Sequence, residues 1–249
     1  MDIIYTIWLR NMKRYIRSKS RIIGSISMPL FFLLFLGFGL NSVVQLPGMG
    51  GNYIVFLIPG MVAMSVMFTS VFSGIQVIWD KQFGFLKETL VAPVSRLEIM
   101  LGQTAGGATT AVLQGFMILI ISLFIGLRVS SVAGFFIALL FMVMIGISFT
   151  AFGIAIASRM DDMTGFQLIM NFVIFPIFGL SGALFPISSL PSWAMPVILI
   201  DPLTYGVEGI RYGLTGASQI DPVVCLAVIG GFAGVMTVAG AYLFRKITI

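Results

Sequence analysis

The sequence predicts an all-α membrane protein: six transmembrane helices, an amphipathic N-terminal interface helix, a short cytoplasmic helix between the second and third spans, and short outer-leaflet helices before the last span. Three observations lead there. Hydrophobic residues make up 59% of the 249 and charged residues 9%, a balance foreign to a soluble domain. Six apolar runs, at 22–44, 53–79, 99–127, 132–157, 164–185 and 222–244, are long enough for a helix to cross roughly 30 Å of hydrocarbon. None contains Asp, Glu, Lys or Arg. The basic residues between the runs also fall unevenly on alternate sides.

Residues 1–21 come first. Arg10, Lys13, Arg14, Arg17 and Arg21 fall on one helical face, and Ile4, Trp8, Met12 and Tyr15 on the other, which suits a helix lying in the inner headgroup layer. Such a helix serves as a topogenic anchor on anionic lipid, as a lever against a cytoplasmic partner, or as both. A basic segment before an apolar one imitates a signal peptide. No small-x-small cleavage site follows, so the first span reads as a retained anchor.

From 22 to 249 the chain reads as one transmembrane domain. Polar interruptions in the spans are amides and hydroxyls such as Gln76, Gln103, Gln114, Gln167 and Asn171, suited to pairing across helices or with backbone. Gly102 and Gly106, Gly146 and Gly153, Gly179 and Gly182, and Gly230 and Gly234 suit close helix packing.

Between the second and third spans lies a charged island, DKQFGFLKETLVAPVSRLE, from Asp80 to Glu98. It holds six of the chain's 23 charged residues, which number 14 basic and 9 acidic. Phe83, Leu86 and Leu90 recur at helical spacing with Lys87 and Glu88 beside them, and Pro93 should end that short helix. Ser95 and Glu98 form a capping-box signature that starts the next one. The pattern suits a docking helix or a solvated connector. Further on, Arg159, Asp161 and Asp162 should cap the helices around the second inner loop or touch a partner there.

Pro186, Pro191 and Pro196 alternate with apolar residues from 185 to 200, as expected of short segments dipping into the outer leaflet, with Trp193 as an interface anchor. Asp201 should then cap a helix that begins at Pro202, and Glu208 and Arg211 are spaced to pair along it. This helix is read as a capped interfacial element or as an outer gate. The last span follows.

Placing the N-terminus in the cytoplasm puts 12 of the 14 Lys and Arg residues inside, six of them before the first span. Only Arg128 and Arg211 remain outside. Both termini are therefore expected in the cytoplasm, and the positive charge reflects topology and membrane lipid rather than nucleic acid.

Several energy sources are excluded. The spans hold no ionisable pathway residue, the chain has no His, and no Gly-Lys pair exists from which a P-loop could be built. One cysteine, Cys225, excludes an internal disulfide and a cysteine-based metal cluster, and no catalytic pair is evident. Active transport would need a separate ATPase subunit docked on the cytoplasmic face. A passive six-span channel or membrane scaffold, or a sodium-coupled transporter, are the alternatives.

The island resembles the cytoplasmic coupling segment of type-2 ABC transporter membrane subunits, matched here at Asp80, Gly84, Phe85, Leu86, Lys87, Glu88, Leu90, Pro93 and Ser95. The family often has Thr where Phe85 stands and Glu near Lys87. A second segment, DPLTYGVEGIR, is similar to the family's N-P-L-T-Y-x-x-x-x-x-R before the last span, matched at Pro202, Leu203, Thr204, Tyr205 and Arg211, with Asp201 in place of Asn. The branch most resembled is that of daunorubicin-resistance-type drug exporters and their polysaccharide-exporting and nodulation-type relatives. The resemblance implies a prokaryotic plasma-membrane exporter of a hydrophobic or amphipathic substrate. It also implies two membrane subunits with two cytosolic ATP-binding cassette subunits, ATP and Mg bound on the latter and no cofactor on this chain.

Overall fold

The computed structural model describes residues 3–41, 53–85, 94–189 and 191–247. Helix α1 spans Ile3–Arg17, α2 Lys19–Leu40, α3 Tyr53–Ser73 and α4 Ile75–Gln82. Helices α5 Arg96–Ile125, α6 Val132–Ala157 and α7 Met163–Leu180 follow. Two 3-10 turns, Ile187–Ser189 and Ser192–Ala194, lead into α8 Met195–Ile200, α9 Pro202–Thr215 and α10 Pro222–Arg245. Among the described residues, six helical stretches are long and apolar enough to cross a membrane: Ile22–Leu40 in α2, α3 joined to α4, and α5, α6, α7 and α10.

The caps explain several boundaries. Ser95 and Glu98 form the expected capping box at α5, with Glu98 N–H donating to Ser95 Oγ at 3.1 Å and Ser95 N–H to Glu98 Oε2 at 2.9 Å. Asp162 accepts from the N–H groups of Thr164 and Gly165 to open α7. The fifth span ends at Leu180, earlier than its apolar composition suggests, because the chain turns at Gly182 in the left-handed region, φ +72°.

The second span is not one continuous helix. It breaks at Gly74, where the N–H reaches back only three residues to the Val71 carbonyl. There the chain touches α6: a Cβ on Gly74 would lie 2.5 Å from the carbonyl carbon of Gly153. α9 approaches α6 in the same way, since a Cβ on Gly213 would lie 2.6 Å from the Ala138 nitrogen. Helices α3 and α6 thus form the centre of the bundle, with α2, α5 and α9 against α3 and α5, α9 and α10 against α6. By contrast, Gly179, Gly230 and Gly234 meet nothing within 4 Å, so the expected close packing does not occur at those positions within this chain.

α1 is amphipathic as expected, but its apolar face rests on protein. Ile7, Met12 and Tyr15 are buried against α5, where Gly102 and Gly106 leave a trough for Ile7 and Asn11. Trp8 Nε1 donates to Thr109 at 3.0 Å and Tyr15 Oη to Gln114 at 2.5 Å. The helix ends at Arg17, and Arg21 belongs to α2.

On the opposite face the expected short segments are present, and Trp193 is 74% exposed. α9 lies within the bundle rather than on its surface. Eleven of its 14 residues are buried, because α3, α6 and α10 enclose it.

Gly153→Val should force α6 from α3 and α4 and lower stability by about 2 kcal/mol or more. Gly231→Ala, where an added Cβ meets nothing within 4 Å, should leave it unchanged. Thermal unfolding of both variants in detergent checks this.

Candidate functional site

Two surfaces meet at the end of the bundle that carries α1. The first is the root of the charged island. The sequence reading places Asp80 in a docking surface, yet its side chain is only 8% exposed and turns inward. Arg10 donates to its Oδ2 at 2.7 Å, Gln103 to the same oxygen at 3.1 Å, and Gln76 to Oδ1 at 2.7 Å. Asn11 donates in turn to Gln103 Oε1 at 2.9 Å. A carboxylate leaving water needs such partners, and here they come from α1, α4 and α5 at once.

The Phe83, Leu86 and Leu90 spacing suggests a short helix; α4 ends before it at Gln82, and Phe85 is helical where the described residues stop. Phe83 caps α4 through its N–H to the Trp79 carbonyl, 2.9 Å, and Gly84 turns through φ +77°. Phe83 is 78% exposed, with its ring edge-on to Trp79. Phe85 lies under the Arg10 guanidinium, 4.3 Å from ring centre to Cζ. Leu86, Lys87, Glu88, Leu90 and Pro93 lie outside the described residues.

The root is held from two more directions. Lys81 pairs with Asp161, whose backbone carbonyl also accepts from Gln82 at 2.6 Å, so the loop between α6 and α7 grips the end of α4. Past the island, Arg96 donates to the carbonyls of Arg245 at 2.5 Å and Ile247 at 3.0 Å, tying the start of α5 to the end of α10. Gln76 and Gln103 carried a signal of this root as amides inside apolar runs. Arg10 and Asn11 carried none.

The second surface is a cavity of about 660 Å³ enclosed by α1, α2, α3, α4, α5 and α7. Phe68, Phe72, Phe175 and Met64 line its apolar wall. Gln76 and Gln103 from the root, with Asn171, line its polar side. Sequence reasoning proposed no cavity residues, because the wall assembles from side chains far apart in the chain.

The residues of the proposed outer gate form one buried cluster at the other end. Asp201 Oδ1 accepts from Leu203 N–H at 2.9 Å, with Pro202 in the first turn, and Thr204 Oγ1 reaches Asp201 Oδ2 at 3.4 Å. Tyr205 Oη donates to the Leu199 carbonyl at 2.8 Å. Glu208 and Arg211 form an ion pair with both side chains fully buried. Arg211 also donates to the Gly182 carbonyl at 2.9 Å and stacks on Phe56, while Glu208 accepts from Gln219 N–H at 2.5 Å. The pair therefore joins α9 to α3, the end of α7 and the loop before α10. Breaking one partner of such a pair strands a buried charge.

Burial pushes the Asp201 carboxyl up to about 7, against the lowering effect of its bonds from Leu203 and Thr204. A raised pKa means that the folded state favours the protonated acid. Its stabilising contribution is full below about pH 4 and is lost as pH rises through about 7. Asp201→Asn keeps the cap without the charge. It should raise stability at about pH 8 by on the order of 1–3 kcal/mol and flatten the pH dependence between about 4 and 7, as read by thermal unfolding across pH.

Residues 3–215, from α1 through α9, match the ABC-2 type transporter family. The chain is 26% identical to the inner membrane transport permease YadH of Escherichia coli strain K12 over 231 residues, covering 90% of this chain and 87% of that one. It is 29% identical to nodulation protein J of Rhizobium leguminosarum bv. trifolii over 218 residues, covering 86% and 82%. Six membrane-spanning helices, a rooted island and a family match across both make this chain a member of the ABC-2 type transporter family, a multi-pass membrane transporter subunit.

Proposed function

We propose that the chain is the permease half of an ATP-driven exporter in a prokaryotic plasma membrane, moving hydrophobic or amphipathic molecules. The α1 end faces the cytoplasm, both termini lie there, and a cytosolic ATP-binding cassette subunit docks on the island and supplies ATP and Mg. The observation that carries this reading is the root of the island. Asp80 ties α4 to α1 and α5, and Lys81 and Gln82 tie it to the loop before α7. A push on the island therefore reaches four helices.

In this mechanism Phe83, Phe85, Leu86 and Leu90 supply apolar docking area, and Lys87 and Glu88 set its orientation. Gly84 supplies the turn that presents the segment, and Pro93 ends it. Asp80, buried, transmits motion rather than touching the ATPase. Closure of the ATPase dimer moves the rooted body and reshapes the cavity beside α2 and α7. Two copies of the chain with two ATPase subunits form the complex, and substrate crosses between the membrane subunits. The cluster from Asp201 to Arg211, with Pro202, Thr204, Tyr205 and Glu208, acts as the outer gate.

Phe83→Asp and Leu86→Asp should cut transport per ATP hydrolysed by about tenfold or more while membrane insertion stays intact. Vesicle transport and ATPase assays on the co-purified complex measure this ratio. Unchanged transport in both variants refutes the docking role, and transport that persists without nucleotide favours a channel.

A further inference from the structure

The amides that line the cavity fall into two groups. Gln76 and Gln103 both donate to Asp80, and Asn11 donates to Gln103, so these three are spent on the root. Gln167 and Asn171 on α7 line the same space, yet neither takes part in a hydrogen bond among the described residues. Their placement is regular. With Phe175 they recur every four residues, so one face of α7 forms a cavity wall. Asn171 stands roughly 12 Å from the start of α7 at 1.5 Å per residue, near the middle of that span.

α3 brings a second pair. Ser65 and Thr69, again four apart, line the cavity, and Thr69 has no hydrogen-bond partner among the described residues. Ser65 is 1% exposed, and its Oγ is unpartnered among the described residues, as is the buried Nε1 of Trp79 on α4. Three helices thus bring unspent donors and acceptors to one space. Beside them Phe68, Phe175 and Met64 form an apolar part, with the two rings edge to face and their centres 5.4 Å apart. Unpartnered buried polar atoms are costly, and a bound molecule's own polar groups relieve that cost.

We propose that the cavity holds an uncharged amphiphile whose hydroxyl or amide groups bond to Gln167, Asn171, Ser65 and Thr69 while its apolar chain packs on Phe68, Phe175 and Met64. This names the substrate class for the export function proposed above and rests on that reading. The chemistry of the unspent groups decides the head. Amides and hydroxyls both donate and accept, and a hydroxyl-bearing head does the same, so each group finds its complement. A phosphate chiefly accepts and a quaternary ammonium does neither. Each also gives up the hydration of a full charge at a depth where neutral groups return only part of it. A cavity of about 660 Å³ admits one such molecule.

The test uses the full chain in zwitterionic lipid nanodiscs and a photoreactive alkyl glucoside carrying a diazirine on its chain, with adducts mapped by mass spectrometry. Unlabelled alkyl glucoside, alkyl phosphate and alkyltrimethylammonium of equal chain length compete. Adducts should map to Phe68, Phe175 or Met64, and the glucoside should compete about fivefold more strongly than either charged amphiphile. Gln167→Leu with Asn171→Leu should reduce that preference to about twofold or less while thermal unfolding of the free protein stays unchanged, because both amides lack partners among the described residues. Ser65→Ala reads the site a second way. It removes a buried hydroxyl without a partner, so it should raise the unfolding temperature of the free protein and weaken glucoside binding by about threefold.

Equal or stronger competition by either charged amphiphile overturns the proposal. So does a preference that survives the double substitution, which would mark a chain held without its head. A membrane lipid with a hydroxyl-bearing head shares this chemistry without being cargo. With the ATP-binding subunit present, cargo should leave the cavity on ATP hydrolysis and glucoside adducts should fall. Adducts unchanged in a complex that hydrolyses ATP mark a resident lipid and overturn the substrate class. The competition arms use no ATPase, so their failure is distinct from failure of the docking surface, which the coupling ratio reads.

Discussion

The buried carboxylate of Asp80 sets the terms for the rest of the structure. It sits buried where the second span leaves the bundle, and must be neutralised or bonded. Arg10, Gln76 and Gln103 meet that need, and each comes from a different helix. The consequence is mechanical. α1, α4 and α5 cannot separate without stranding a charge, so the root of the island, Asp80 to Phe85, keeps its place against them.

Rigidity on one side is matched by loose attachment on the other. α3 and α6 touch backbone to backbone at Gly74 and Gly153, and α6 and α9 do so at Gly134 and Gly213. Contacts this close admit little sliding. α7 touches α3, α4 and α9 only sparsely, and α2 leans mainly on α3 and α5. The cavity lies between the dense core and these two flanking helices. Elements with few packed contacts are the ones free to move, so the same packing that fixes the root leaves the cavity wall adjustable.

Much of the fold was legible because its signals are local. Long uncharged runs gave all six spans, and the cap at Ser95 and Glu98 and the pair at Glu208 and Arg211 lie within four residues of one another. What stayed hidden depends on distant partners. The apolar face of α1 looked ready for lipid, because a helical moment does not say whether lipid or a glycine trough such as Gly102 and Gly106 covers it. Asp80 looked like a surface charge because Arg10 lies 70 positions away. The burial of α9 was hidden because its polar residues were visible but the surroundings formed for them by Phe56, Gly182 and Gln219 were not. The break at Gly74 was hidden for a related reason: glycine is tolerated inside membrane helices, and only contact with Gly153 turns it into a joint.

The central claim is that Asp80 makes the island's root and α1 one body. Pulsed electron-electron spin-spin distances test it most directly, with labels at exposed Ile16 on α1, Gln82 at the end of α4 and Phe172 on α7, in a Cys225→Ala background and in the presence of the ATP-binding subunit proposed above. On ATP binding the Ile16 to Gln82 distance should hold within about 2 Å while the Ile16 to Phe172 distance changes by more. A change between Ile16 and Gln82 as large as that to Phe172 would contradict a single rooted body.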